Sequence, residues 1–285
     1  MFSSYSRRTP KRLAVLLAAL LAVVLTAAST AGSGQAASTL PTLTVTLSSS
    51  GVTVTGAPSA GAINVVTSSV GNLKEPSVVL FRLNPGTSEA EAITAINTPK
   101  LDPNELSKLG SIVFDNEAPA KSIEAQTTLA AGKYLAVSIG EKGPVGQQTP
   151  FTVTDSTSPL TLPAPQAKEK AIEFGFTGPA TLKVGELVGW EDGGFLVHMD
   201  IGFPVKSMAA AKKVLAGLKS GHERGLQKLV AGPPVQFQGP VSPGGYQQSV
   251  VTARPGIYVQ VCFMETQDKR PHTRLGMERI IRITK

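Results

Sequence analysis

A pattern of segments that occurs twice constrains the fold of this chain more than any other feature of its sequence. In each half an apolar strand leads into a helical segment, a Gly-x-Tyr strand follows, and a short strand closes the half. The matched segments are 78–83 with 195–201, 131–138 with 255–262, and 151–154 with 281–284. One matched motif is easily a coincidence, but three in the same order indicate two copies of one structural unit.

The segments between the turns predict a mainly β fold. Residues 43–47 alternate apolar and polar side chains with a period of two, which is typical of half-buried strands. Ser88 with Glu91, and Asp102 with Pro103, are start signals for short helices. Because helices and strands do not alternate as in βαβ units, we expect two tandem β-sandwiches with short helical insertions.

Residues 1–37 have the pattern of a secretory signal peptide. Basic residues precede an apolar run at 13–28 that only Thr26 interrupts, and small residues follow. The run has 16 residues, fewer than the roughly 20 that a membrane-spanning helix needs. The pair Arg7-Arg8 leaves general and twin-arginine export both open. We therefore expect a secreted or cell-envelope-associated protein without a membrane-spanning segment after cleavage.

A Pro-rich break at residues 156–166 separates the two copies. It contains three prolines and no aromatic residue, a composition typical of a linker. We therefore expect a first β-sandwich domain at residues 38–155 and a second at residues 167–285.

The formal net charge of +7 is unevenly distributed. Residues 38–160 carry seven basic and ten acidic side chains, whereas residues 161–285 carry 16 basic and ten acidic ones. The remaining four basic residues belong to the signal peptide. Because the exported chain has little net charge, and because nucleic acid binding fits poorly with export, we exclude a nucleic acid partner.

The small number of cysteines and histidines limits the chemistry. A single cysteine, Cys262, excludes an intramolecular disulfide and every Cys-cluster metal site. The sequence contains no Gly-x-Ser-x-Gly motif, phosphate loop or dinucleotide-binding motif. His222, one of three histidines, is predicted in an exposed turn. We therefore expect that the protein is not an enzyme.

Four residues of the second copy have the order of copper ligands. Cys262 ends the Gly-x-Tyr strand, His272 follows after nine residues, and Met277 follows after four more. His198 lies on an earlier predicted strand. A thiolate and two imidazoles, with a weakly bound thioether, are the donors of type 1 copper. For His272 to come near Cys262 the loop between them has to double back, and a hairpin about residues 267–269 is one way to do so.

The second copy resembles the cupredoxin family, the plastocyanin and azurin type of secreted β-sandwich. The motifs that carry the resemblance are Gly256-x-Tyr258-x-x-x-Cys262, His272 and Gly276-Met277. The resemblance implies a Greek-key sandwich and one-electron transfer to a redox partner protein. It also implies copper held by Cys262, His272 and Met277, with His198 as a looser match for the first histidine ligand.

The first copy lacks these ligands. Ser138 stands where the second copy has Cys262, and a position near Phe81 corresponds to His198. No His or Met occurs at residues 38–154. We therefore expect a degenerate first domain with a structural or partner-facing role.

An interpretation without metal is left open by the same residues. Cys262, His198 and Met277 are then buried core side chains, and His272 lies in an exposed loop. The protein is then an extracellular binding or surface-associated module for an anionic partner. Its binding surface is a basic C-terminal stretch formed by Lys269, Arg270, Arg274, Arg279 and Arg282.

Overall fold

The computed structural model describes residues 39–98, 101–141 and 143–285, so the predicted signal peptide lies outside the described residues. The strands of the first half are β1 (Thr42–Ser48), β2 (Gly51–Thr55), β3 (Gly61–Ser69), β4 (Ser77–Leu83), β5 (Gly110–Glu117), β6 (Ile123–Leu129), β7 (Gly132–Gly140), β8 (Gly143–Pro144) and β9 (Thr149–Val153). Between β4 and β5 lie the helix α1 (Glu89–Ile96) and a 3-10 turn (Pro103–Lys108).

The second half has a similar order of elements. Its strands are β10 (Ala167–Ile172), β11 (Gly175–Thr177), β12 (Thr181–Lys183), β13 (Leu187–Asp192), β14 (His198–Val205), β15 (Val235–Val241), β16 (Tyr246–Val250), β17 (Gly256–Val261) and β18 (Glu278–Thr284). The helix α2 (Met208–Ser220) and a 3-10 turn (Leu226–Lys228) follow β14, and a further 3-10 turn (His272–Leu275) precedes β18. The predicted mainly β fold with short helical insertions is confirmed.

One large sheet runs through both halves. Its eight strands have the order β11-β10-β13-β16-β6-β3-β1-β2, so that β16 of the second half pairs with β6 of the first. On each side of this junction the innermost pair is antiparallel, the next is parallel, and the outermost is antiparallel. The two half-sheets therefore have the same order of antiparallel and parallel strand pairs, counted outward from the junction.

Each half places a smaller sheet against its part of the large sheet. The strands β5-β4-β7 with β8 and β9 form one smaller sheet, and β12-β18-β17-β14-β15 form the other. Apolar side chains from both sheets meet between them, around Phe114 in the first half and around Trp190 in the second. The outer faces of the smaller sheets bury apolar side chains beneath α1 and α2. This is the face-to-face packing of a β-sandwich.

The tyrosines of the two Gly-x-Tyr strands have similar burial and the same kind of hydrogen-bond partner. Tyr134 and Tyr258 are both buried, with 1% and 3% of their surface exposed. The hydroxyl of Tyr134 donates to the carbonyl of Ala130 at 2.7 Å, and that of Tyr258 donates to the carbonyl of Arg254 at 2.8 Å. Each tyrosine thus satisfies its buried hydroxyl on the backbone four residues before it.

The two helical segments of the first half begin where the sequence predicts caps. The Ser88 hydroxyl accepts from the amide of Glu91, and Asp102 accepts from the amide of Asn104. In the second half α2 begins at Met208, after the cap Ser207 and three residues beyond the end of β14. Neither α1 nor α2 in the described part of the chain is suited to crossing a membrane, since even α2 has only 13 residues.

The predicted linker at residues 156–166 contains no helix or strand. Its Leu160 carbonyl accepts from the amide of Ala62 at 2.8 Å, and its Pro163 carbonyl accepts from the side chain of Gln248 at 3.1 Å. The segment is thereby bonded to both halves. Residues 40–285 form one compact unit, and the predicted boundaries of two domains stay a prediction.

Asp115 is buried where β5 of the first half lies against β15 of the second. Its Oδ1 accepts from the Gln236 side chain at 3.3 Å, and 2% of the residue is exposed. Burial raises the pKa of Asp115 from 3.8 to about 7. The folded state therefore keeps a proton that the unfolded state has released, and the free energy of unfolding falls as the pH rises from about 4 to 7.

We expect Asp115→Asn to flatten this pH dependence, because asparagine replaces the protonated acid without being able to ionise. The slope of unfolding free energy against pH should decrease by up to about 1.4 kcal/mol per pH unit in that window. Urea denaturation between pH 4 and 8 measures this slope. The exposed Asp155→Asn changes the net charge equally and should follow the wild type. Parallel curves for all three proteins would contradict the prediction.

Candidate metal centre

Cys262 directly follows β17 and is completely buried. Because side chains alternate along a strand, Cys262 shares a face with Tyr258 and Gln260. This face points into the sandwich, whereas Val259 and Val261 pack beneath α2. The thiol therefore lies between the two sheets of the second half.

The nine residues after Cys262 fold back on themselves, which the copper-ligand interpretation of the sequence requires. The amide of Lys269 donates to the Thr266 carbonyl at 2.8 Å, and the amide of Thr266 donates to the Arg270 carbonyl at 3.0 Å. Lys269 has a φ of 63°, the left-handed conformation that such a tight turn needs. The amide of His272 then bonds to the carbonyl of Met264 at 2.8 Å, which returns the chain toward Cys262.

His272 begins a 3-10 turn that Gly276 ends. Gly276 has a φ of 100°, which favours glycine, and Met277 after it bonds back to the His272 carbonyl at 3.0 Å. His272 has none of its surface exposed. The interpretation of His272 as an exposed loop residue was wrong, because the hairpin and this turn direct the imidazole inward.

His198 is the first residue of β14, three residues later than the predicted start of the strand. The preceding amides bond to side chains and not to a neighbouring strand. The amides of Phe195 and Leu196 donate to Glu173, that of Val197 donates to Asn104, and that of His198 donates to Asp192. For residues 195–197 these acceptors take the place of strand pairing, which begins at His198 with Val241 of β15.

The ligand atoms of His198, Cys262 and His272 converge. The Sγ atom of Cys262 lies 3.8 Å from Nδ1 of His198 and 3.4 Å from Nδ1 of His272. All three potential ligand atoms lie within 4.8 Å of one another. An ion bonded to nitrogen at about 2.0 Å and to sulfur at about 2.3 Å, with trigonal angles, separates nitrogen and sulfur by about 3.7 Å. The three side chains therefore fit a metal ion without a large rearrangement.

Glu173 controls which nitrogen of His198 is available. Its Oε1 lies 3.2 Å from His198 Nε2, so the ring donates there and turns Nδ1 toward the sulfur. Partial burial raises the pKa of Glu173, but hydrogen bonds from Phe195, Leu196 and His198 outweigh it and the net shift is downward. A Cβ at Gly194 would lie 2.5 Å from Glu173 Oε1, so this contact needs glycine there.

Burial keeps the three groups uncharged when no metal is bound. It raises the pKa of the Cys262 thiol to about 12 and lowers the pKa of His272 to about 4. The pKa of His198 is also lowered by burial. The Nε2 atom of His272 has no hydrogen-bond partner among the described residues. Phe174 packs edge-on against the imidazole, with 4.9 Å between the ring centroids. Metal binding must therefore displace the thiol proton.

Met277 lies in the apolar cluster around the thiol. The cluster also contains Ala171, Val197 and Met264, and Phe174 packs against it. Both Met264 and Met277 thus line the region of Cys262, and the ligand role given to Met277 stays a prediction. Apolar side chains around the three ligand candidates exclude water from them.

The sequence analysis missed a buried polar network under Cys262. Gln260 donates to Glu169 at 2.8 Å and to Asp200 at 2.9 Å, and Arg279 bonds to both Gln260 and Glu169. Gln260 is the one signal that could have found it, because a fully buried amide between Tyr258 and Cys262 needs polar partners.

Arg279, one of the five residues of the predicted basic stretch, belongs to this network, and binding of an anionic partner by that stretch stays a prediction. Arg279 is turned inward, with 17% of its side chain exposed, because it compensates the buried Glu169. Lys269 pairs with Asp102 at 3.4 Å, and Arg270 pairs with Asp268 at 2.7 Å. The five basic residues therefore do not form one unpaired cationic surface. His222 lies in an exposed turn, as predicted.

No protein-family model and no curated protein matches the chain. Among solved structures it is similar to reduced auracyanin from Roseiflexus castenholzii, with 14% identity over 41% of this chain and 95% of that chain and a TM-score of 0.26. It is similar to the Cu-containing nitrite reductase from Thermus scotoductus SA-01, with 12% identity over 86% and 68% and a TM-score of 0.25. Blue copper oxidase from Nitrosomonas europaea gives 9% identity over 85% of each chain and a TM-score of 0.22.

The expectation that the protein is not an enzyme was wrong. The structures to which the chain is similar include a nitrite reductase and an oxidase, which are enzymes. The expectation depended on missing hydrolase, phosphate and dinucleotide motifs. Those absences exclude only the corresponding chemistries, because a redox metal site needs none of these motifs.

Proposed function

We propose that the second half binds copper between His198, Cys262 and His272 and that the protein takes part in one-electron transfer. The observation that carries the proposal is the convergence of two Nδ1 atoms on one buried sulfur, at 3.8 and 3.4 Å. Two imidazoles and a thiolate form a donor set that suits copper. Met277 would be the fourth residue to hold the copper. Copper held there would supply reversible one-electron oxidation and reduction.

The chain's own residues prepare the site for that role. Glu173 holds the ring of His198 in the tautomer that leaves Nδ1 free, and the hairpin after Cys262 holds His272 opposite. Apolar neighbours such as Phe174 and Met264 exclude water. A site in which the protein fixes the donors undergoes little rearrangement when the charge of the metal changes.

The remaining sequence predictions belong to this proposal. The leader predicts export, and the repeated order of strands supports a duplicated cupredoxin-like unit. In this view the first half has lost the ligands, with Ser138 at the place of Cys262. The electron donor or acceptor is a redox partner protein.

The proposal is tested by adding Cu(II) to the purified protein and recording the visible spectrum. An intense thiolate-to-copper band at one equivalent of copper is expected, and the band should bleach on addition of dithionite. A colourless protein whose thiol becomes alkylated at an unchanged rate in the presence of copper would contradict the proposal.

Glu173→Ala is expected to lower the copper affinity about 10- to 100-fold, because the outer-shell partner of His198 is lost. Glu173→Gln keeps an acceptor at the same place and should lose less. Competition with a copper chelator measures the affinity. The control is Glu191→Ala, which removes a carboxylate bonded to the exposed Lys170. Equal affinities for the Glu173→Ala and Glu191→Ala variants would show that Glu173 does not orient the ligand.

A further inference from the structure

A short segment of the first half reaches the metal centre of the second. The segment is the start of the 3-10 turn, Asp102 to Asn104, and its neighbours fix it to the first half. Leu101 and Leu106 pack into the apolar cluster beneath α1, with 9% and 2% of their surface exposed. The Asp102 side chain caps the turn by accepting from the amide of Asn104 at 3.0 Å. The segment is therefore anchored to the first half.

Asn104 bonds to both chain segments that carry the ligand candidates. Its Oδ1 accepts from the amide of Val197 at 2.8 Å, directly before His198. Its Nδ2 donates to Asp102 at 2.9 Å and lies 3.5 Å from the carbonyl of Glu265, at the base of the hairpin that leads to His272. One side chain thus joins the two segments from outside the second half.

The bond to Val197 is the stronger of these contacts. Val197 is 2% exposed and precedes β14, so its amide has no strand partner and depends on Asn104. Loss of the acceptor costs more free energy for a buried amide than for an exposed one. The backbone is therefore expected to shift until the amide finds another acceptor. A shift at Val197 moves the ring of His198.

A second bridge runs parallel to the first. Asp102 Oδ2 lies 3.4 Å from Nζ of Lys269, at the tip of the same hairpin. Asp102 is 9% exposed, whereas the Lys269 side chain is 61% exposed. The hairpin is therefore held to the first half at its base by Asn104 and at its tip by Asp102.

We propose that Asn104 is a positioning residue for the metal centre, through which the first half sets the separation between His198 and His272. The inference rests on the proposed function of the site as a metal centre. It gives the half without ligands a specific task, which is to clamp the ligand-bearing segments of its neighbour.

The test compares Asn104→Ala with Asn84→Ala in the full chain. Asn84 is a matched control, because its side chain also bonds to the 3-10 turn, donating to the Ser107 carbonyl at 3.1 Å, and it is half-buried like Asn104. In the metal-free protein we expect the Val197 amide to exchange hydrogen about tenfold faster in the Asn104 variant. In the copper-loaded protein we expect a shifted visible band and about tenfold weaker binding. The Asn84 variant should match the wild type in all three readouts.

Equal behaviour of the two variants would overturn the proposal. Lys269→Gln is a second variant that changes an exposed side chain only, and it should shift the visible band in the same direction by a smaller amount. If the wild type gives no thiolate-to-copper band, the proposed function fails, while hydrogen exchange at Val197 still tests the clamp. Faster exchange only in the Asn104 variant then supports the clamp, and unchanged exchange overturns it.

Discussion

Replacing Cys262 by serine should abolish the visible band of the copper-loaded protein. The band requires a thiolate, and a serine hydroxyl does not provide a soft, readily ionised donor. Copper affinity should fall by more than the roughly 100-fold that loss of an outer-shell partner causes, because a direct ligand is removed. The fold should survive, since the introduced hydroxyl can accept from the amide of Met199, which points at the sulfur of Cys262 at 3.5 Å.

Absorption spectra, copper competition and thermal melts together measure these effects. His272→Ala should lose the band as well, whereas His222→Ala should retain it, because His222 lies in an exposed turn away from the cluster. A band that persists in Cys262→Ser would show that copper binds elsewhere. Loss of the band in the His222 variant would have the same meaning.

Replacing Arg279 by alanine should destabilise the protein by about 3–5 kcal/mol, because it leaves a buried carboxylate without its counter-ion. Glu169 is 2% exposed, and its other polar contact is the amide of Gln260, which it shares with Asp200. Burial raises the pKa of Glu169. Loss of Arg279 should raise the pKa of Glu169 further. The destabilisation should therefore be larger at pH 8, where a free carboxyl group is ionised and the buried one resists ionisation, than at pH 5.

Urea denaturation at these two pH values measures the effect. The matched control is Arg282→Ala, an exposed residue three positions later on β18, which should change the free energy of unfolding by less than about 0.5 kcal/mol. The double variant Glu169→Gln and Arg279→Met should recover much of the loss, because it removes both charges. A loss of equal size in the Arg279→Ala and Arg282→Ala variants would contradict the role of Arg279 as a buried counter-ion.

The parts of the structure that depend on local order along the chain could be predicted from the sequence. The Gly-x-Tyr strands and the cap at Ser88 are encoded by neighbouring residues, and the structure contains both. The copper-ligand interpretation of the sequence required Cys262 and His272 to meet, whereas the metal-free interpretation placed His272 in an exposed loop. The distance of 3.4 Å between their ligand atoms agrees with the first interpretation.

The parts that could not be predicted depend on contacts between distant segments. Nothing near residue 197 in the sequence indicates that its amide bonds to Asn104, 93 residues earlier. Glu173 and Glu169 are ordinary acidic residues in the sequence, and only the fold places them beside His198 and Arg279. Strand pairing between β6 and β16 is equally non-local, because it joins the two halves.

The pairing of β6 with β16 has a consequence for solubility. Had the two half-sheets remained apart, each would present a row of free backbone donors and acceptors along β6 or β16, and such open strands recruit other chains into aggregates. Gln248 of β16 pairs with Gln126 of β6, and Thr127 donates to the carbonyl of Tyr246 at 2.6 Å, so that each half covers the other's open strand. Each half alone would be prone to aggregation, so the first half, which lacks the ligand candidates, keeps the second half dispersed.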